Sequence, residues 1–200
     1  LIDKNMTEQL IKEAYDRLQQ EVAAYHLLIR VDENAAAADT LRALNKVKKV
    51  AREIKTEKDM QRIIAQYRAD DDDNTIGEDL GYFSAFNMVY PFESAAYRMK
   101  VGEVSMPVRT QFGYHIIKKT DERPARGEFK GLHIWVSKDN YAGVEGQKRA
   151  QEIYEQLKGG ADFGELAKKY SDDTRTGRNG GEMPWFGVGK YPIEFEEEVY

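Results

Sequence analysis

Apolar residues recur at helical spacing in three segments of the first third of the chain. The spacing predicts a leading helix N-capped by Thr7, a second helix that begins near Asp39 or Thr40, and a third that begins at Thr56. Thr56-x-x-Asp59 resembles a capping box, in which each side chain accepts a hydrogen bond from the other residue's backbone N–H. These segments therefore predict helices with one apolar face turned to a core.

Shorter apolar runs predict strands. Tyr25–Val31 is a short, mainly apolar run that contains His26, and 104–119 predicts two strands joined by a turn, with His115 in the second. Between these runs, four consecutive aspartates and two glycines predict a loop over 70–81, and a short helix is predicted over 92–99. Strands at both ends with helices between them predict an antiparallel sheet in an α+β domain.

The chain contains two copies of one module. Asp59 recurs 103 residues later as Asp162, and the same offset relates several aromatic and acidic residues. These pairs are Tyr67 and Tyr170, Asp70 and Asp173, Phe83 and Phe186, Phe92 and Phe195, and Glu93 and Glu196. A period near 100 residues indicates a duplicated domain rather than an array of short repeats.

The repeat predicts the domain bounds. A leading helix occupies 1–19, the first domain 20–121, a linker 122–127 and the second domain 128–200. The second copy lacks counterparts of the two strands predicted over 104–119, so we expect it to be marginal alone. Disorder, completion by a partner such as a second copy of the chain, and continuation of the chain remain open.

Composition and charge exclude several classes of protein. The net charge is −5 and no Lys/Arg block exceeds Lys48-Lys49, so we expect no nucleic-acid-binding surface. There is no cysteine, which excludes thiol chemistry and thiolate zinc sites. The longest apolar run, 22–29, is too short to span a membrane. Because the first residue is Leu1 rather than Met, we expect an excised piece whose targeting segments have been removed.

Five motifs in one order carry a family resemblance. They are His26-Leu-Leu-Ile, Tyr67-x-x-Asp70, Asp79-Leu-Gly-x-Phe83, Met88-x-x-Pro-Phe92-Glu and Gly113-Tyr-His115-Ile-Ile. Together, residues 25–120 resemble a parvulin-type peptidyl-prolyl isomerase domain, and the tandem arrangement is similar to bacterial envelope foldases of the SurA and PrsA kind. The resemblance implies a four-stranded antiparallel sheet surrounded by helices. It also implies proline-containing, unfolded client polypeptides as partners, no cofactor or metal, and a location in the periplasm or cell envelope.

The resemblance also implies site residues. The catalytic set would be His26, Asp70 and His115, and the proline-binding set Leu80, Met88, Phe92 and Phe112. Counterparts in the second copy would be His133, Asp173, Tyr191 and Phe195. Rotation about an X–Pro bond meets a barrier of about 20 kcal/mol from amide resonance and breaks no bond, so neither a nucleophile nor a metal is required. An apolar slot that holds the proline ring would serve this chemistry.

Structural interpretations of these residues stay open. His26 and His115 could be hydrogen-bonded core histidines, Met88 and Phe92 ordinary core residues, and Phe112 either a pocket rim or a hairpin cap. The acidic run 70–73 lacks the ligand spacing of an EF-hand, which favours a solvated loop over calcium binding.

Other departures from the family pattern bear on activity. The second copy has Tyr191 where the first has Met88 and lacks a counterpart of His115, so we expect no catalysis there. Asp32 and Glu33 follow Arg30, so selectivity for phosphorylated clients is not expected. The alternative to an isomerase is a pair of silent modules that bind extended peptides as a chaperone.

Overall fold

The computed structural model describes the backbone of residues 4–69 and 74–200 and the side chains of 6–67 and 74–200. The chain divides into two compact units. The first comprises Leu1–Gly127 together with Val188–Tyr200, and the second comprises Glu128–Gly187. Within the described residues, no helix combines the length and apolar character needed to cross a membrane.

The first unit contains four strands and five helices in the part that is described. Up to residue 127, its elements are α1 Lys4–Leu18, β1 Gln20–Arg30, α2 Ala37–Glu53, α3 Glu57–Ala69, β2 Thr75–Phe83, α4 Tyr90–Arg98, β3 Val108–Thr110 and β4 Gly113–Pro124. The second unit follows with α5 Glu145–Lys158, α6 Phe163–Tyr170 and α7 Thr174–Gly177. The last helix, α8 Ile193–Val199, belongs to the first unit.

The sheet of the first unit is antiparallel throughout, in the order β2-β1-β4-β3. β1 is central, and most of its residues are buried because both of its faces are covered. On one face α2 and α3 pack through Val47 and Met60 against Leu27 and Ile116. On the other face α4 packs through residues such as Phe92. The sheet therefore has a core on each side.

Register places both histidines of the first unit on one face. His26 lies opposite Ile117 of β4 and Glu78 of β2, while His115 lies opposite Leu28 of β1. Opposite residues of an antiparallel pair point to the same side, so His26 and His115 are diagonal neighbours on the face that α4 covers.

The predicted helices are present, with one change at the start of the chain. Thr7 lies inside α1, which begins at Lys4, and is therefore not its N-cap. At α3 the capping box is formed: the Thr56 N–H donates to Asp59 Oδ2 at 2.8 Å and the Asp59 N–H donates to Thr56 Oγ1 at 3.2 Å. In the second copy Asp162 N-caps α6 by accepting from the Glu165 N–H at 2.8 Å.

The predicted loop over 70–81 is wrong for its second half. β2 spans Thr75–Phe83 and pairs with β1 along most of its length. The glycine and acidic residues of this strand are typical of a loop, but the acidic ones lie at solvated positions. Gly77 is needed for close packing, since a Cβ there would lie 2.5 Å from Ile64 Cγ1. β4 also extends to Pro124, past residue 121 where the repeat ended the first domain. The domain bounds themselves stay a prediction.

The second unit has helices but no strand ladder among its residues, all of which are described. Phe129 and Phe186 form one isolated bridge, and Leu132 and Glu182 form another. The apolar run over 132–136, which follows the linker, thus takes part in a single bridge only. In the first unit the equivalent strand is held from both sides.

Candidate functional site

Two imidazoles meet at the centre of the sheet in the first unit. His26 Nδ1 on β1 lies 3.4 Å from His115 Nδ1 on β4. The ring planes are 20° apart and the ring centroids 5.7 Å apart. Both side chains are buried.

A chain of hydrogen bonds extends from this pair in both directions. Glu78 Oε1 lies 3.1 Å from His26 Nε2 on the β2 side. Thr110 Oγ1 lies 2.8 Å from His115 Nε2 on the β3 side, and the backbone N–H of Phe112 donates to the same hydroxyl at 3.2 Å. Every polar atom of the two imidazoles therefore has a partner.

The groups at the two ends of this hydrogen-bond chain determine which nitrogen of each imidazole carries the proton. An ionised Glu78 can only accept, so His26 Nε2 carries its proton and Nδ1 of the neutral ring is an acceptor. His115 must then donate from Nδ1, which leaves its Nε2 to accept from the Thr110 hydroxyl. With both rings neutral, one set of tautomers satisfies all the contacts.

Burial keeps the histidine pair neutral. Desolvation, the neighbouring His26 and the charge of Arg109 lower the pKa of His115 to about 4. Desolvation also lowers the pKa of His26, while the hydrogen bond and charge of Glu78 act in the opposite direction. At neutral pH the site thus presents uncharged imidazoles.

The ring of Phe92 lies against both imidazoles. It meets His26 edge-to-face with centroids 5.7 Å apart, and His115 with centroids 5.2 Å apart. Phe92 comes from the first turn of α4, behind Pro91, and its side chain is 3% exposed. Leu80 of β2 and Met88 of the loop before α4 are half-buried and pack against the same cluster. Phe92 therefore joins the two imidazoles to the apolar cluster against which Leu80 and Met88 pack.

The structure therefore brings together His26, His115, Leu80, Met88 and Phe92. Phe112 lies in the turn between β3 and β4, where its carbonyl accepts from the Val31 N–H at 3.3 Å, and its side chain is exposed. Asp70 lies outside the described residues.

Two residues of this site, Glu78 and Thr110, were not predicted from the sequence. Glu78 was overlooked because its strand was predicted to be loop, although its register opposite His26 follows once β2 is recognised. Thr110 pairs with Gly113 across the hairpin, five residues before His115, and this spacing was a usable signal.

The residues predicted for the second copy fall into different units. In the second unit, His133 Nε2 lies 2.7 Å from Thr176 Oγ1 and 3.3 Å from Asp173 Oδ2, and Thr176 donates to Asp173 at 2.7 Å. Asp173 also N-caps α7, and the hydrogen bond from Thr176 is the main cause that lowers its pKa. Tyr191 and Phe195 belong to the first unit, where their ring centroids are 5.2 Å apart.

The antiparallel sheet and the buried imidazole pair define a parvulin-type domain. The sequence matches the family model "Rotamase: PPIC-type PPIASE domain" over residues 26–121 and 133–200, and the chain belongs to this family. The two matches confirm the resemblance and the α+β fold with a partial second copy.

The chain is also similar to individual proteins of known name. Chaperone SurA of Pseudomonas fluorescens is 31% identical over 186 residues, which are 90% of this chain and 43% of that protein. Foldase protein PrsA 1 of Bacillus cereus is 42% identical over 132 residues, 65% of this chain and 41% of that one. The chain spans less than half the length of these curated relatives. The crystal structure of the peptidylprolyl isomerase PrsA from Bacillus anthracis is 29% identical, with a TM-score of 0.36, over 59% of this chain and 50% of that one.

Proposed function

We propose that the first unit catalyses cis–trans isomerisation of X–Pro bonds in unfolded or extended client polypeptides. The observation that carries the proposal is the contact of two neutral, buried imidazoles with the Phe92 ring, beside Leu80 and Met88. Family membership supports the same chemistry.

In this proposal Leu80, Met88 and Phe92 hold the pyrrolidine ring of the client. Phe supplies a flat, rigid wall and Met a side chain that adapts to it. Twisting the X–Pro amide localises the nitrogen lone pair and makes the carbonyl less polar, so a dry, uncharged environment favours the twisted state. Neutral His26 and His115 place no charge of their own beside the twisting amide, and no proton transfer is required.

The remaining predicted site residues enter the proposal in lesser roles. Asp70 would complete the hydrogen-bonded cluster, and Phe112 would line the rim of the site with its exposed ring. His133, Asp173, Tyr191 and Phe195 would mark a second copy that binds peptide without catalysis. The second repeat would be completed by further residues of the same chain or by another molecule of the protein.

An exchange experiment tests the proposal. Two-dimensional NMR exchange on a short Ala-Pro peptide should show faster interconversion with the chain present. Met88→Ala should lower the acceleration about tenfold through loss of ring contacts, and its fold should be verified from the amide spectrum. No acceleration by the folded chain would refute the proposal.

A second candidate function is a catalytically silent, peptide-binding chaperone. It is favoured by the apolar side chains that α1 exposes, which are Met6, Leu10, Ile11, Tyr15 and Leu18. Exposed apolar surface of this kind often marks an interaction site. This function predicts that suppression of client aggregation survives both His26→Ala and Met88→Ala, whereas Ile11→Ser and Tyr15→Ser reduce it.

We also propose that the chain meets its clients in the periplasm or cell envelope. The proposal rests on its kinship with proteins named chaperone SurA and foldase protein PrsA. Fractionation of cells that express the whole protein tests it, and recovery of the protein in the cytoplasm alone would contradict it.

A further inference from the structure

Phe86 occupies a backbone conformation that suits glycine. Its φ is 70°, and it is the one non-glycine residue with positive φ in the described part of the chain. A bulky side chain in this region is a conformational outlier that costs free energy. The residue 103 positions later, Gly189, has a φ of 79°. The same turn therefore occurs in both repeats, and only the first places an aromatic ring on it.

The turn is imposed by a carboxylate. The Phe86 N–H donates to Glu93 Oε2 at 2.7 Å, as the Gly189 N–H donates to Glu196 Oε2 at 3.0 Å. Phe86 gains little burial in return for its strain, since 71% of it is exposed. Backbone strain that packing does not explain points to a function for the side chain.

Phe86 lines a cavity of about 230 Å³. Leu10 and Ala14 of α1 form one wall, and Met88 and Tyr90 complete the apolar lining. Cavities that hold whole small-molecule ligands usually measure about 300–1,000 Å³, so this one has the size for a single side chain. Met88 also packs against the cluster that contains Phe92, so it borders both this cavity and the proposed proline site.

The charged groups at the cavity already have partners. Arg17 Nη1 donates to Glu93 Oε1 at 2.9 Å, and Arg17 also pairs with Glu13. Arg98 lies 3.2 Å from the same Glu13 carboxylate. An incoming charged side chain would find no free counter-charge here, so the lining favours an apolar side chain.

We propose that this cavity is a second subsite for the client, which takes one large apolar side chain near the isomerised proline, and that Phe86 is its specificity-determining residue. The inference rests on the proposed isomerase function. It goes beyond that function because it assigns a sequence preference to clients: an aromatic or large aliphatic residue close to the proline should improve recognition.

The test is a scan of peptides with NMR exchange. The reference peptide is Ala-Ala-Pro-Ala-Ala, and four variants carry a single Phe at each of the other positions. With the unaltered chain, Phe at one position should raise kcat/KM about fivefold, equivalent to about 1 kcal/mol. Phe86→Gly and Phe86→Ala should both reduce that ratio to about one. Ala14→Leu, which fills the cavity from α1 and leaves Phe86 in place, should do the same, whereas Glu8→Ala on the same helix should not.

The two Phe86 variants also test the strain. Both remove the ring, but only glycine relieves the positive φ, so Phe86→Gly should melt about 2–4 °C above Phe86→Ala. Gly189→Ala should lower the melting temperature for the same reason. Equal melting temperatures of the two Phe86 variants would overturn the explanation by strain.

Two outcomes would overturn the subsite itself. In the first, the Phe86 variants keep both the rates and the ratio of kcat/KM between the best Phe peptide and the reference peptide. In the second, the variants lose rate on all peptides by one common factor, so that this ratio again stays as it was. If the chain accelerates no peptide, the isomerase function fails, and chemical-shift titration with the same peptides then decides the subsite alone. Tighter binding of one Phe peptide that is lost in Phe86→Gly supports it, and equal binding of all five overturns it.

Discussion

Glu93 and Glu196 show what the two repeats share and where they part. Each is buried, and each accepts the backbone N–H of the residue seven positions earlier. The second oxygen differs: that of Glu93 pairs with Arg17 of α1, whereas that of Glu196 accepts the N–H groups of Lys190 and Tyr191 at 2.8 and 2.9 Å. The shared turn is thus local, and the leading helix adds a charge partner only in the first repeat.

The histidines differ more than the glutamates. His26 and His115 are 89 residues apart and meet because β1 and β4 pair along the centre of the sheet. His133 bonds instead to Thr176 and Asp173 in a unit whose extended segments form only isolated bridges. The comparison shows that a short-range turn survives in a partial module, whereas the imidazole pair requires the whole sheet.

The largest expected effect comes from removing the repeat-related phenylalanines. Phe92→Ala should destabilise its unit by about 4 kcal/mol because the side chain is almost fully buried. Phe195→Ala should cost about 1–2 kcal/mol, since that ring is half-buried. Urea unfolding followed by assigned amide resonances measures both. Similar losses for the two variants would break the comparison.

The glutamates should rank next. Glu93→Gln removes the charge partner of a buried guanidinium and should cost about 3 kcal/mol. Glu196→Gln loses only part of its hydrogen bonding to backbone groups and should cost about 1.5 kcal/mol. Thermal unfolding of the two variants under one set of conditions gives the difference. A larger loss for Glu196→Gln would show that Arg17 contributes little.

Acid should weaken the first repeat through its imidazole pair. The unfolded His115 takes up a proton near the ordinary histidine pKa of about 6.5, whereas the folded one does so only near its lowered pKa of about 4. Between these values the unfolded state binds more protons, so stability falls as the pH falls, by up to about 3 kcal/mol.

The acid effect is measured by chemical unfolding at pH 6.5 and at pH 4.5. His115→Gln should show a smaller difference between the two pH values than the unaltered chain. An equal difference would assign the acid sensitivity to other groups.

The smallest effect concerns Glu78. Glu78→Gln keeps an oxygen that can accept from His26 Nε2, so the tautomers should persist and isomerisation should change by about twofold or less. The pKa of His26 should fall further, because the charge and hydrogen bond that raise it are weakened. Titration of the imidazole carbon resonances measures this shift, with Glu182→Gln as the surface control. A rise in the pKa of His26 would contradict the proposed hydrogen-bond chain.

Much of this architecture was predictable because it follows from local patterns. Apolar spacing located the helices, and the motifs around His26, Met88, Phe92 and His115 named side chains that the structure brings together. β2 escaped prediction because its partner strand, rather than its own acidic and glycine-rich composition, makes it extended. With β2 unrecognised, Glu78 could not be placed beside His26.

The conformation of Phe86 also could not be predicted from its own residue type. Phenylalanine rarely adopts a positive φ, and the backbone is held there by a carboxylate seven residues away. The repeat held a usable signal, since the matching position is a glycine. Comparing the two copies position by position would have revealed the turn.

The ion pair between Arg17 and Glu93 has a practical consequence for where the first module can be cut. An expressed fragment that starts at residue 20 would omit Arg17 and leave the buried Glu93 carboxylate without its cationic partner. Such a fragment should express poorly or melt early for reasons unrelated to its active centre. Cloning boundaries set before α1 would avoid mistaking this instability for a lack of activity.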